Sequence, residues 1–532
     1  MRIVLTNGKI YLEKDKFAEA ILIEDEIILQ VGETKEILNN AYDKKVDLEG
    51  KTLIPGLNDS HLHIASVGSA MNSCNLNSAK SIDDIVNIGR KFIKDHPGLK
   101  VLHGRGWSQD YFSQGEKRML NRFDLDRIST SIPIAFTRVC GHMAVGNSKA
   151  INDLNLNEDS YVDGGVIELG DDNKPNGVFC ENAIPILNSL IPSKTDRDIE
   201  EEILKASQYA ISMGLTSIQS CDIAKEDSKR MFNIIHEIYK EGKTKLRYSH
   251  QFNFQEIDDF KNYINTEFKD GIYDEKFLSR GVLKLFVDGS LGARTALMKN
   301  EYNDERGNLG VRVLSDENLY NLCHLASLNN ITVITHAIGD GAIDAVINAY
   351  EKCMGEKKNP LRHGIVHCQI TSQEQIERIA DLKIPVMYQP IFLDYDMDIV
   401  RDRVGEELAF TSYAFNSLYQ LGGLISLGTD APVEDLNPWH NLHLAVTRSG
   451  LDNMPREGFY PQEKMDLSDA IDAYTYGSAY NEFKEDLKGR IKPGYLADLI
   501  VLDRDIFTID PHEIKDVRVE KTMIGGEFVF EK

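Results

Sequence analysis

The chain lacks any apolar run approaching the roughly 20 residues that cross a bilayer, which argues against a membrane helix. Its start, Met1-Arg2-Ile3-Val4-Leu5-Thr6-Asn7-Gly8, is too short in its apolar part for a signal peptide and reads as a strand and turn. The seven cysteines are scattered, with no Cys-x-x-Cys pair. That excludes a thiolate zinc site and a disulfide framework, and suits the reducing cytoplasm. Positive charge is in deficit, with 60 Lys and Arg against 84 Asp and Glu, a net charge of −24. Such a balance argues against nucleic acid and anionic membranes as partners. Internal repeats and low-complexity tracts are absent. The lone Gly104-Arg105-Gly106 lacks the strand-to-helix context of a nucleotide-binding loop.

What remains is a long chain of ordinary globular composition: 532 residues, 42% hydrophobic and 27% charged. This is enough for a large core and more than one domain. The two ends are alike in kind. Short β-rich stretches separated by turn residues fill the first 50 positions and recur from 489 onward, where Gly525-Gly526 is a strong hairpin signal. The reading is one small β-sandwich domain built from residues 1–56 and 483–532.

Between the ends, strands alternate with helices, which implies βα units around a parallel sheet. Asp196 to Ser212 is the clearest amphipathic helix, with Thr195 as its N-cap. Strands are expected at Gly214 to Ser220, Val282 to Val287, Thr332 to His336, Gly364 to His367, Pro385 to Tyr388 and Leu424 to Leu427. Helices are expected at Asp340 to Cys353 and Ser372 to Ala380. The order fits an α/β fold, a (β/α)8 TIM-like barrel over 57–482. The stretch at about 74–191 fits the repeat poorly and reads as a Gly-rich, polar insertion. Thr52-Leu53-Ile54 is expected to supply the first barrel strand, with Pro55-Gly56 bending the chain before His61-Leu62-His63.

In a barrel the C-terminal strand ends open on one shared face. The first strand ends in His61 and His63, whose spacing of two lets both imidazoles grip one ion from one side. Later ends carry His336, His367 and Asp430, and Lys284 lies inside an apolar strand. Imidazole and carboxylate are the donors that Zn²⁺, Fe²⁺ and Mn²⁺ take. A lysine in such a strand must lose its charge or find a partner. Asp430 could also be a helix N-cap or a turn residue before Pro432. Cys221 and Cys368 read as small buried residues.

Several segments carry a family resemblance. They are Pro55-Gly56 followed by Asp59-x-His61-x-His63, Asp288 to Ala296, Thr335 to Asp340, and Gly428 to Pro432. Gly104 to Trp107, Gly141-His142 with Asn147-Ser148, and Gly494 to Leu499 add to them. Over nearly its whole length the chain resembles the amidohydrolase superfamily of metal-dependent hydrolases, within it the family that includes N-substituted formamide deformylases.

The resemblance implies that His61, His63 and Asp430 hold one metal and that His336 and His367 hold a second. Lys284, carboxylated to a carbamate, would bridge them. If Lys284 is unmodified, one metal on His61, His63, one or both later histidines and Asp430 is the better arrangement. Glu181 is the competing carboxylate, as ligand, bridge or pocket wall. His142, Trp107, Asp288 and Arg294 are the other candidate substrate contacts, the last two alternatively pairing with each other. The implied activity is hydrolysis of a C–N, amide-like bond of a small molecule, an N-substituted formamide among the options, with Asp430 as the proton-handling residue. Zinc comes first as the metal, with iron and manganese open, and a homo-oligomer is left open. The alternatives are ester, lactone or cyclic-amide hydrolysis on the same site, an isomerase or decarboxylase, and an inactive scaffold or binding protein.

Overall fold

The structure, a computed structural model, describes residues 1–109, 112–138, 143–274, 276–354 and 358–532. Two compact units divide the chain: Met1–Ser66 with Ile203–Lys532, and Val67–Glu202.

In the first unit both termini build a two-sheet sandwich. One sheet runs Ile27–Gly32, Ala20–Glu24, Arg2–Thr6, Lys44–Asp47. The other runs Glu527–Glu531, Val519–Ile524, Leu499–Leu502, Thr52–Pro55, Lys9–Glu13, Lys16–Ala18. Ile3, Leu5, Ile21 and Ile23 from one sheet meet Leu53, Leu499, Val501 and Met523 from the other in one buried core. Alternation along each strand supplies that face. Gly525 and Gly526, at φ 56° and 76°, make the tight turn that joins the last two strands.

Eight parallel strands form the barrel. They are β1 (Leu57–Leu62), β2 (Leu215–Ala224), β3 (Arg247–Asn253), β4 (Leu278–Phe286), β5 (Val333–Ala337), β6 (Gly364–His367), β7 (Val386–Tyr388) and β8 (Ile425–Leu427). They pair in chain order. The interior is filled by side chains such as Val282, Ile334, Val366 and Met387. Between β8 and β1 the ring is drawn together at its C-terminal end. Asp430 N–H donates to the His61 carbonyl at 2.8 Å, and His63 N–H to the Ala431 carbonyl at 2.8 Å.

Two sequence expectations change here. Thr52–Pro55 is a strand of the sandwich, paired antiparallel with Leu499–Leu502, so the histidine-bearing strand is the separate run Leu57–Leu62. Strand β3 was not expected, because Arg247-Tyr248-Ser249-His250-Gln251-Phe252-Asn253 is largely polar. Its polar groups have partners: Arg247 makes a two-pronged, fully buried ion pair with Asp498 at 2.7 and 2.8 Å. That pair ties β3 to the returning C-terminal segment.

The second unit is more than a polar insertion. It holds a six-stranded sheet ordered Gly165–Leu169, Pro175–Glu181, Met143–Gly146, Ile134–Arg138, Leu102–Trp107, Cys74–Asn75. The helix Ile82–Asp95 packs on it, capped by the Ser81 hydroxyl. Its core contains Leu102, Trp107, Phe136, Val145 and Val178. Among the described residues, no helix is long and apolar enough to cross a membrane.

Candidate metal centre

Strand β1 delivers His61 at its last turn of pleat, and His63 follows directly. The His61 and His63 Nε2 atoms lie 3.3 and 3.2 Å from the same oxygen, Asp430 Oδ1. One ligand atom from each of the three residues lies within 4.8 Å of the others. Among the described residues no other group of three or more His, Cys, Asp or Glu gathers this closely.

The close approach of strands explains the convergence. Gly428 sits so near β1 that a Cβ there would come within 2.7 Å of the His61 nitrogen. Asp59, buried beneath, accepts from the Thr429 N–H at 3.1 Å and the Thr429 hydroxyl at 2.7 Å. It also accepts from the His61 N–H at 3.1 Å. Burial pushes the Asp59 carboxyl up to about 7. Asp430 itself adopts φ 55°, a left-handed backbone that a non-glycine residue holds only when its surroundings impose it.

Across the barrel mouth, His336 ends β5 and His367 ends β6, with ring centroids 4.5 Å apart. His367 also lies 5.8 Å from the His61 ring. Strict alternation would send His367 to the face opposite Val366. A φ of 77° at His367 and 50° at Cys368 turns it back toward the site. Lys284 is fully buried on β4, and its Nζ has no hydrogen-bond partner among the described residues. It lies 4.0 Å from the centroid of the Phe286 ring. Burial lowers its pKa to about 8, against nearby Cys221, Asp430 and Asp288.

Each of the four rings is held from behind through Nδ1. His63 donates to the Cys221 carbonyl at 2.8 Å. His336 donates to Asp288 Oδ1 at 3.0 Å. His61 donates to Gln251 Oε1, and His367 to Gln389 Oε1 at 2.7 Å. With Nδ1 committed, Nε2 is the nitrogen left to take a metal. Burial depresses His61 and His367 well below the usual imidazole range, which keeps them neutral. Burial also acts to lower His63, but its hydrogen bond to Asp430 raises it. Asp430 is pushed up by burial, yet His63 and the nearby His367 and Lys284 hold it below the ordinary carboxylate value. The donor set therefore fits a divalent ion: imidazoles whose Nδ1 is already committed, an ionised carboxylate, and a buried amine with no hydrogen-bond partner among the described residues.

The other expected site residues have local partners of their own. Asp288 spends both oxygens on His336 Nδ1 and the N–H groups of Leu297, Ile338 and Gly339. It does not pair with Arg294, whose guanidinium meets Asp304 at 2.8 Å. Trp107 is 1% exposed in the second unit's core, its Nε1–H on the Phe136 carbonyl at 3.3 Å. Glu181 ends an edge-side strand of that unit at φ 49°, exposed. Asn147, from the same group of motifs, caps the helix Ser148–Asp153 and braces the Ile134 N–H. His142 lies outside the described residues. Sequence reasoning missed Gln251 and Gln389. Gln389 carried the signal of an amide just after the apolar strand Val386–Tyr388, whereas Gln251 carried none, because β3 is itself largely polar.

Residues 44–530 match the family described as "Amidohydrolase family". The chain belongs to the amidohydrolase family. It is 31% identical to the amidohydrolase YtcJ of Bacillus subtilis, over the whole of both chains. It is 24% identical to the N-substituted formamide deformylase of Arthrobacter pascens, covering 100% of this chain and 98% of that one. An uncharacterised metal-dependent hydrolase from Pyrococcus furiosus has the same fold, with a TM-score of 0.76 and 29% identity, covering 95% of this chain and 99% of that one. Family membership makes this protein a hydrolase that works with a divalent metal, and the His61, His63 and Asp430 cluster is where the structure can hold it. An inactive scaffold finds no support.

Proposed function

We propose that this amidohydrolase cleaves a C–N bond of a small amide-like substrate, N-substituted formamides being the first class to try. The observation that carries the reading is the convergence of His61, His63 and Asp430 on one point, opposite His336, His367 and a partnerless Lys284. The identity to a formamide deformylase over the full chain supports the substrate class.

In this reading His61, His63 and Asp430 hold one divalent ion, zinc by preference, and His336 and His367 a second. The chemistry such ions supply is a water acidified from about 15.7 toward about 7, and hence hydroxide at neutral pH. Lys284 adds the bridge. Its amine, lowered to about 8, is partly unprotonated at neutral pH. Its nitrogen lone pair would attack CO₂ and lose one proton to solvent, giving a carbamate whose single negative charge is shared by two oxygens.

The chain's own residues then move the protons. Asp430, ionised below the usual range, takes a proton from the attacking water at a carboxylate oxygen. It returns that proton to the departing nitrogen as the C–N bond breaks, so the products are a carboxylic acid and an amine.

A panel of N-substituted formamides, linear amides, cyclic amides, lactones and esters tests the reading, with Asp430→Asn as the blank. Preferred turnover of a linear amide or formamide that vanishes in the blank is expected. Preference for an ester or lactone, or amide turnover that survives in the blank, overturns it.

A further inference from the structure

Two of the four histidines facing the site share an uncommon support. Gln251, on β3, places Oε1 on His61 Nδ1 while its Nε2 donates to the Ser60 carbonyl at 2.9 Å. Gln389, just after β7, places Oε1 on His367 Nδ1 while its Nε2 donates to the Met387 carbonyl at 3.0 Å. Both glutamines are buried, at 1% and 3% exposure. The pattern is the same twice. The NH₂ end of each amide is pinned to a strand carbonyl, which leaves the carbonyl end facing the ring. An amide rotated by half a turn would set NH₂ against Nδ1 and force the proton onto Nε2, where no metal could bind. The backbone carbonyls of Ser60 and Met387 forbid that rotation, because each would then face an oxygen.

We propose that Gln251 and Gln389 are a matched pair of positioning residues, each fixing one histidine of each pair, His61 and His367, in the Nδ1–H tautomer with Nε2 turned to the metal. This rests on the ligand assignment above. The two glutamines have different duties from Asp288, the acid behind His336, and from the Cys221 carbonyl behind His63. A glutamine, like the Cys221 carbonyl, accepts the Nδ1 proton without adding a negative charge, so of these four rings His336 alone is backed by a carboxylate.

The amide's two ends can be separated by substitution. Glutamate keeps the oxygen that faces the ring and loses the NH₂ that braces the strand; methionine, of similar length, loses both. Metal-free parent, Gln251→Met, Gln389→Met, Gln251→Glu and Gln389→Glu would each be titrated with Zn²⁺ against a chromogenic chelator. Unfolding of each metal-free variant would be followed by circular dichroism. Each Met variant should lose about 10- to 100-fold in affinity for one ion and leave the other ion's affinity unchanged. Each Glu variant should stay within about threefold of the parent, even if its unfolding midpoint drops. If Glu loses zinc as badly as Met, the glutamines merely brace strands and the proposal fails. If both Met variants bind within twofold of the parent, it fails as well. A Met variant that does not fold leaves the decision to Glu, with retained affinity in favour and a tenfold loss against. A parent that binds no zinc at all would instead overturn the metal-site reading itself.

Discussion

The two sides of the barrel mouth are built differently. On one side, His61, His63 and Asp430 come from the ends of the first and last barrel strands, far apart in the chain. Backbone hydrogen bonds, Asp59 and the bare Gly428 close the ring there, and the same contacts place two imidazole nitrogens on one carboxylate oxygen. On the other side, His336 and His367 come from adjacent strands β5 and β6. They have rings in place and Nδ1 atoms held, yet among the described residues no third ligand group gathers with them as Asp430 does with His61 and His63. Their neighbour is Lys284, buried and without a hydrogen-bond partner. The difference teaches that folding alone completes the first half of the centre. In the reading proposed above, the second half takes an anionic bridge, which a carbamate on Lys284 would supply.

The comparison can be broken at several points. Asp430→Asn should abolish turnover by roughly 10³-fold or more, because it removes both a ligand and the proton carrier. Steady-state kinetics would show it, and the fold should survive. Asp498→Ala strikes neither half. It leaves Arg247 buried and unpaired and should cost about 3–5 kcal/mol of stability, read by denaturant unfolding. Losses confined to one metal in that variant would argue that β3 serves one side more than the other. Asp288→Asn should weaken zinc by about 10- to 100-fold on the His336 side only, visible in a chelator competition.

The smallest effect is a pH slope. Lys284 titrates near 8 in the fold and near 10.5 when unfolded. Between those values the unfolded chain holds the extra proton, so stability of the metal-free protein rises with pH. Its contribution to the slope should reach at most about 1.4 kcal/mol per pH unit. In Lys284→Met that contribution should be gone, so the parent's slope should exceed the variant's by up to this amount, while Lys484, also lowered to about 8, contributes equally to both. Equal slopes in both proteins would mean that Lys284 keeps its charge in the fold.

Much of this was legible in the residues. Gly364 to His367 and Asp196 to Ser212 match the observed elements end for end, because each has a plain apolar pattern and a clear boundary. The site histidines and Asp430 stood out because polar groups ending apolar strands are conspicuous. What stayed hidden had its reason elsewhere in the chain. Strand β3 looks polar because its partners, Asp498 for Arg247 and His61 for Gln251, lie far away in sequence. Thr52–Pro55 and Leu57–Leu62 read as one strand because only the fold shows that Gly56 hands the chain from the sandwich to the barrel. For Trp107 a core tryptophan is the default reading and a pocket wall the alternative, and the second unit's own core surrounds it.

The most direct test of the two-sided account is a count of metal per chain with and without CO₂. Metal-free protein would be reloaded with excess Zn²⁺ in CO₂-depleted buffer and in bicarbonate, desalted, and analysed by mass spectrometry of the metal. The account predicts a single ion per chain without CO₂ and a second ion when bicarbonate is present, with Lys284→Met fixed at the lower value in both. The same occupancy in both buffers for the parent would contradict it.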